Sequence, residues 1–126
     1  MLEIVENIIK EKNLLDNKLL VIKLEDVNID RNLTGLIANQ LMAKYQRPVL
    51  LLNKVITKKI YMDENYKVLS LDEISWEGSG RGYDKSKFDN LREFLNDSGL
   101  VMYAEGHANA LGAGISEASF REFIDY

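Results

Sequence analysis

The chain has 126 residues, a formal net charge of −4, 46% hydrophobic and 29% charged side chains, no cysteine and one histidine. That suits one globular domain and excludes a disordered tail, a collagen-like repeat, a disulfide scaffold, thiolate metal sites and a multi-histidine metal centre, so no cofactor is expected on this chain. No apolar run approaches the ~20 residues of a membrane span, and the acidic, periodic N-terminus is unlike a secretory signal; the expectation is a cytoplasmic protein without a membrane partner.

Leu2, Val5, Ile8 and Ile9 recur at helical spacing, which predicts an amphipathic helix over residues 2–12. Asp16-Asn17 is a turn signal. Lys18 to Leu24 (KLLVIKL) is nearly continuous apolar sequence and reads as a strand buried on both faces. Asp30 or Asn32 is the candidate cap of a helix carrying Leu33, Leu36, Ile37, Leu41 and Tyr45, and Pro48 closes it. Val49 to Leu52 is a second buried strand, and its distance from the first leaves room for a parallel crossover. Ile60-Tyr61-Met62 and Tyr66 to Leu69 flank the polar turn Asp63-Glu64-Asn65 and read as a strand pair. Ser86 to Asn96 is predicted helical, with Phe88, Leu91, Phe94 and Leu95 on one face and a stop at Ser98-Gly99. Leu100 to Tyr103 is a short apolar run, Gly106 to Gly114 is rich in small residues, and Ser116 is placed to cap a last helix carrying Phe120 and Phe123. The sum is a single-domain α/β fold with a mixed, partly parallel sheet of about five strands flanked by helices.

Three segments carry candidate chemistry. In Gly78-Ser79-Gly80-Arg81-Gly82, three glycines let a backbone approach a ligand, successive amides can form an anion nest, and Ser79 and Arg81 supply donors. The competing reading is a hairpin loop with a solvated arginine. In Glu105 to Gly114, His107 is the one imidazole; at a helix start it would meet an anion beside the positive dipole end. The competing reading is a histidine with an ordinary hydrogen bond. Lys54, Lys58, Lys59 and Lys67 lie on the predicted strand pair, within a stretch (31–69) that holds 7 basic and 2 acidic residues in an otherwise acidic chain. They suit a groove tracking a polyanion, or equally edge lysines that oppose aggregation. Tyr45, Tyr61, Tyr66, Trp76 and Tyr83 are suited to base stacking or to packing. No nucleophile–base couple exists, so hydrolysis by this chain alone is not expected.

Read in order, three pieces resemble one family. Leu33-Thr34-Gly35-Leu36-Ile37-Ala38-Asn39-Gln40-Leu41 with Lys44-Tyr45-Gln46-Arg47-Pro48-Val49 is similar to the G-I-V-A-x-x-L…K-Y-x-R-P-V stretch of RecJ-type single-strand-specific exonucleases. Trp76 to Arg81 resembles their G-S-x-R segment, and Gly106-His107 with Ala110, Gly112 and Ile115 resembles their G-G-H-x-x-A-A-G-x-x-I segment. The resemblance implies that residues 1–126 are a DHH-associated, substrate-binding domain of the DHH phosphoesterase superfamily, without the catalytic DHH domain. In that superfamily Mn²⁺ or Mg²⁺ belongs to the missing DHH domain, and no catalytic residue falls in this chain. The mapping gives Ser79, Gly80, Arg81, Gly106 and His107 as substrate-phosphate contacts; Lys54, Lys58 and Lys59 are added as backbone contacts. Glu105 stands where the family has a glycine, and Gly82 where it has a serine. The implied function is single-stranded-DNA binding for a 5′–3′ exonuclease used in DNA repair and recombination, with a DHH catalytic domain as partner. The alternatives are the equivalent domain of a small DHH phosphoesterase acting on short RNA or nucleotide phosphates, and a non-catalytic interaction module.

Overall fold

A computed structural model describes residues 2–12, 14, 19–25, 27–83 and 90–125. Helix α1 (Leu2–Glu11) buries Val5 and Ile9 from its apolar stripe. Strand β1 (Leu20–Leu24) follows; the predicted turn at Asp16-Asn17 and the start of the strand at Lys18 lie outside the described residues. Helix α2 (Arg31–Tyr45) begins at Asp30, whose carboxylate accepts the Asn32 amide at 2.8 Å, so Asp30 rather than Asn32 is the cap. It ends on Gln46, whose left-handed conformation returns its N–H to the Met42 carbonyl.

Strand β2 (Val49–Met62) and strand β3 (Val68–Arg81) form one long hairpin. The carboxylate of Asp63 organises the turn between them by accepting the Asn65 and Lys67 amides. Helix α3 (Leu91–Ser98) is capped by Asn90 and stopped by left-handed Gly99; the predicted start at Ser86 and the face residue Phe88 lie outside the described residues. Strands β4 (Tyr103–His107) and β5 (Ala110–Ser116) form a second hairpin, and Ser116 Oγ accepts the Ser119 amide to open helix α4 (Glu117–Asp125).

The five strands lie in one mixed sheet, order β1-β2-β3-β5-β4, in which β1 and β2 are parallel and the other neighbours antiparallel. This is the expected α/β architecture with helices on both faces. One face packs Leu20, Ile22, Leu24, Val49 and Leu51 against Val5 and Ile9 of α1 and Ile37, Ala38 and Leu41 of α2. The other packs Leu50, Leu52, Trp76, Leu111, Ala113 and Ile115 against Leu91 and Leu95 of α3 and Phe120 and Phe123 of α4. Val49 to Leu52 alternates between these cores and is buried throughout, which is why that run has no polar position.

Two sequence expectations are corrected. The run read as Val49–Leu52 continues to Met62, because pairing with β3 sustains the strand after its burial ends. Gly78 to Arg81 is neither nest nor loop: it is the central strand of the sheet, paired with β2 and β5, so its backbone donors serve the ladders. A side chain at Gly78 would strike the Leu51 carbonyl, and this close approach explains a glycine inside a strand.

Candidate functional site

Residues directly opposite in an antiparallel ladder share a face. Three rows therefore cross β3, β5 and β4 on the α2 side of the sheet: Arg81–Ala110–His107, Ser79–Gly112–Glu105 and Glu77–Gly114–Tyr103. In these three rows β5 contributes only alanine and glycine, while its alternate residues Leu111, Ala113 and Ile115 enter the core behind. Among the described residues, the helices packed on this face, α1 and α2, lie over β1, β2 and β3. The result is a trough with a small-residue floor, walled by α2 and β3 on one side and β4 on the other. Its outer strands are two spacings apart, about 10 Å.

The wall is built by the first turns of α2. Thr34 is fully buried, and its Oγ1 shares a hydrogen bond with Ser79 Oγ at 2.7 Å. Gly35 lies next to it, and a Cβ there would collide with Nη2 of Arg81, so glycine lets the guanidinium rest against the helix. Arg81 Nη1 donates to the Gly80 carbonyl at 2.7 Å, and no carboxylate pairs with this guanidinium among the described residues. Arg47 stands two residues before Val49, the ladder partner of Arg81, and its Nη1 is buried without a hydrogen-bond partner among the described residues. Such an orphan donor is costly unless an acceptor arrives.

His107 ends β4 in solvent, so it does not occupy the helix start that one sequence reading gave it. Gly106 before it has φ +125°, a conformation that favours glycine, and its carbonyl accepts Arg92 Nη1 at 2.7 Å. At the far end of the trough, Tyr103 donates to Glu77 Oε1 at 2.9 Å and Ser75 donates to Oε2 at 3.1 Å. This bridge passes over Gly114, where any Cβ would press on the Tyr103 ring. The trough is thus cationic at its Arg81–His107 end and acidic towards Glu105 and Glu77.

The structure brings Ser79, Arg81 and His107 to one surface. Gly80 faces the other way, into the core between Leu50, Leu91 and Leu111. Lys54, Lys58 and Lys59 are elsewhere along the long hairpin, Lys58 and Lys59 on its outer part; Lys58 is nine residues from Val49, about 30 Å along the strand. Lys59 is ion-paired with Glu73 at 2.9 Å, which raises its pKa above the usual lysine value, and Lys58 lies opposite Asp72. Trp76 is core, packed on Phe120, while Tyr61 and Tyr66 are exposed. Sequence reasoning did not assign Thr34, Gly35 or Arg47 to the site; the available signal was a glycine inside a helix, which calls for a packing reason. Among the described residues no three metal-ligating side chains come together, so they do not fit a metal centre, and no helix is long and apolar enough to cross a membrane.

No family model matches the chain. Over 111 residues, 88% of its length, it is 40% identical to a protein of Bacillus subtilis (strain 168) that carries the name SPbeta prophage-derived single-strand DNA-specific exonuclease YorK. It is equally similar to the protein of Bacillus phage SPbeta named single-strand DNA-specific exonuclease yorK. The match spans 17% of each relative's length. The chain is therefore related to a limited part of an exonuclease-type protein.

Proposed function

We propose that this chain is the strand-gripping, DHH-associated part of a RecJ-like single-strand-specific exonuclease, inactive alone, that holds a nucleic-acid phosphate at the cationic end of the trough. One observation carries the reading: Arg81, without a carboxylate partner among the described residues, lies in register with His107, and the orphan nitrogen of Arg47 lies at the same end of the sheet. Three cationic or donor groups without a matching anion among the described residues suit a phosphate, which accepts several charge-assisted hydrogen bonds at once. Ser79 is held by Thr34 and sets the wall. In this reading the Mn²⁺ or Mg²⁺ of phosphodiester cleavage, and the cleavage itself, belong to a separate catalytic DHH domain; among the described residues no three metal-ligating side chains come together. The similarity to proteins named single-strand DNA-specific exonucleases supports DNA as the strand.

The test is fluorescence anisotropy of a 5′-phosphorylated single-stranded oligonucleotide across a salt series. Two phosphate contacts give a log–log salt slope near −1.4, at about −0.7 per phosphate on single strands. Arg81→Ala and His107→Ala should each weaken binding and flatten that slope. Absence of any salt-sensitive binding would overturn the proposal. The Tyr103–Glu77 bridge bounds the trough and favours a second reading, a short oligoribonucleotide or nucleotide phosphate; a dinucleotide that competes as well as a 15-mer would select it.

A further inference from the structure

Strand β4 is an outer strand of the sheet, and side chains of α3 occupy its outer edge. Arg92 Nη1 donates to the Gly106 carbonyl at 2.7 Å, and Asn96 Nδ2 donates to the Ala104 carbonyl at 3.2 Å. The edge is therefore taken by helix side chains rather than offered to a further strand. The Arg92 backbone amide also donates to the Ala108 carbonyl at 3.0 Å. Arg92 thus holds the carbonyls on both sides of His107, and the first turn of α3 is fixed beside the cationic end of the trough.

Between α3 and β4 these contacts leave a groove of about 420 Å³, lined by Asn90, Arg92, Glu93, Asn96, Glu105 and Gly106. That volume falls within the range of small-molecule sites. Apart from Ala104 and Gly106, every lining residue is polar or charged, which disfavours a lipid tail or an apolar side chain. One guanidinium against two carboxylates leaves a net charge of −1, which opposes a phosphate in the groove itself. The groups that remain are donors and acceptors with open positions. Nη1 of Arg92 is bound to Gly106, which leaves the Nε and Nη2 side of the fork for a bidentate contact. Neither Glu93 nor Glu105 pairs with a cation among the described residues. Such a lining suits a neutral planar heterocycle with donors and acceptors on neighbouring edges.

We infer, on the footing of the phosphate grip proposed above, that this groove is the base subsite of the gripped nucleotide and that the base is guanine. Gly106 lines the groove, precedes His107 and carries no side chain to bar the way. One nucleotide can therefore keep its phosphate at Arg81 and His107 and pass its sugar over the strand. Guanine presents two adjacent acceptors, N7 and O6, which an arginine fork fills together. It also presents two adjacent donor nitrogens, N1 and N2, which one carboxylate accepts together. No other standard DNA base carries that second pair. Arg92 and Glu93 are consecutive on α3 and supply both groups from one wall. Glu105, from the opposite wall, adds the charge that keeps a phosphate out.

The test is competition against a labelled 5′-phosphorylated thymidine 15-mer by the four deoxynucleoside 5′-monophosphates. The guanine nucleotide should displace it at roughly tenfold lower concentration than the other three, the discrimination of one good bidentate contact. The hypoxanthine nucleotide lacks N2 and should lose most of that advantage. Glu93→Gln should bring the guanine and hypoxanthine nucleotides within about twofold of each other. Arg92→Lys should do the same for guanine and 7-deazaguanine, with circular dichroism confirming the fold of both variants. A variant that weakens all competitors alike shows a structural role and overturns the subsite. Equal displacement by the four nucleotides, or preference for another base, overturns it too, while salt-sensitive binding of the 15-mer leaves the phosphate grip standing. So does a guanine preference that survives both substitutions. Loss of all salt-sensitive binding overturns the grip and the subsite with it.

Discussion

Gly35→Ala separates the grip on the ligand from the stability of the fold. Glycine inside a helix costs about 1 kcal/mol relative to alanine, so propensity alone predicts a more stable variant, melting roughly 3–5 °C higher for a domain of this size. The added Cβ, however, falls on Nη2 of Arg81, 3.4 Å from Cζ of the same group and 3.7 Å from Ser79 Oγ. The colliding atom is the end of a flexible side chain, so relief comes from swinging the guanidinium off α2 rather than from moving the backbone. An off-rotamer side chain costs about 0.5–1.5 kcal/mol, and the net change in stability should lie within about 1 kcal/mol of zero. Binding should respond differently. A lost charge-assisted hydrogen bond is worth about 1.5–3 kcal/mol, a loss of roughly 10- to 100-fold in affinity. Thermal melts and oligonucleotide anisotropy on the same samples measure both quantities. Arg81→Ala should then cost little more in the Gly35→Ala background. Unchanged binding in Gly35→Ala, or full additivity of the two substitutions, would refute the claim that the helix positions this guanidinium.

Thr34→Val removes a buried hydroxyl and strands Ser79 Oγ, so stability measured by denaturant should fall by about 1–3 kcal/mol, and Thr34→Ser should recover most of it. Gly106→Ala forces a Cβ into φ +125°, and the resulting strain of about 1–3 kcal/mol should appear as a lowered melting temperature with weakened binding at the neighbouring His107. Glu6 accepts hydrogen bonds from Lys44 and Tyr45, and the Lys44 bond in particular holds its carboxyl below the usual range. A lowered folded-state value contributes stability above the unfolded carboxylate pKa and loses it as pH falls through the folded one. Melts taken downward from neutral pH should therefore fall less steeply in Glu6→Gln. At the alkaline end the matching contribution of Lys44, raised chiefly by the hydrogen bond to Glu6, is lost as pH climbs through its folded value.

The parts of the fold legible in the sequence are those where burial and periodicity coincide. Val5 and Ile9 on one stripe, the apolar run over Leu20–Leu24, the stop at Pro48 and the Ser116 cap each express a local preference that the tertiary structure keeps. Strand β3 was opaque for a physical reason. Gly78-Ser79-Gly80 has the composition of a turn, and only its neighbours hold it extended: the Leu51 carbonyl allows no side chain at Gly78, and Leu50, Leu91 and Leu111 fill the space beside Gly80. The tip of the long hairpin was legible, since Tyr61 and Met62 pair with Leu69 and Val68 across the turn at Asp63 as expected; the stretch joining it to Val49–Leu52 was hidden, because no burial pattern marks residues that pair only with each other. The site was half legible. Residue types picked out Ser79, Arg81 and His107, but their meeting depends on a register passing through Ala110, which no local signal announces.

That register also explains why an open polar surface persists on a sheet that is otherwise packed on both faces. Strand β5 reads Ala110-Leu111-Gly112-Ala113-Gly114-Ile115, with its branched residues turned towards Phe120, Phe123 and α3. Threonine or valine on the trough side would raise strand propensity, and each glycine there costs about 0.5–1 kcal/mol relative to alanine. Gly114 has an intramolecular reason, since the Tyr103 ring lies across it to reach Glu77. Ala110 has no such reason: it is exposed and lies between Arg81 and His107 rather than under a helix. Larger residues at that level would fill the space between Arg81 and His107 and separate them from a common anion. A sheet selected for stability alone would close this face with apolar side chains, as it does behind. Keeping the floor low beside a guanidinium that α2 holds in place is what a surface shaped for a phosphate requires.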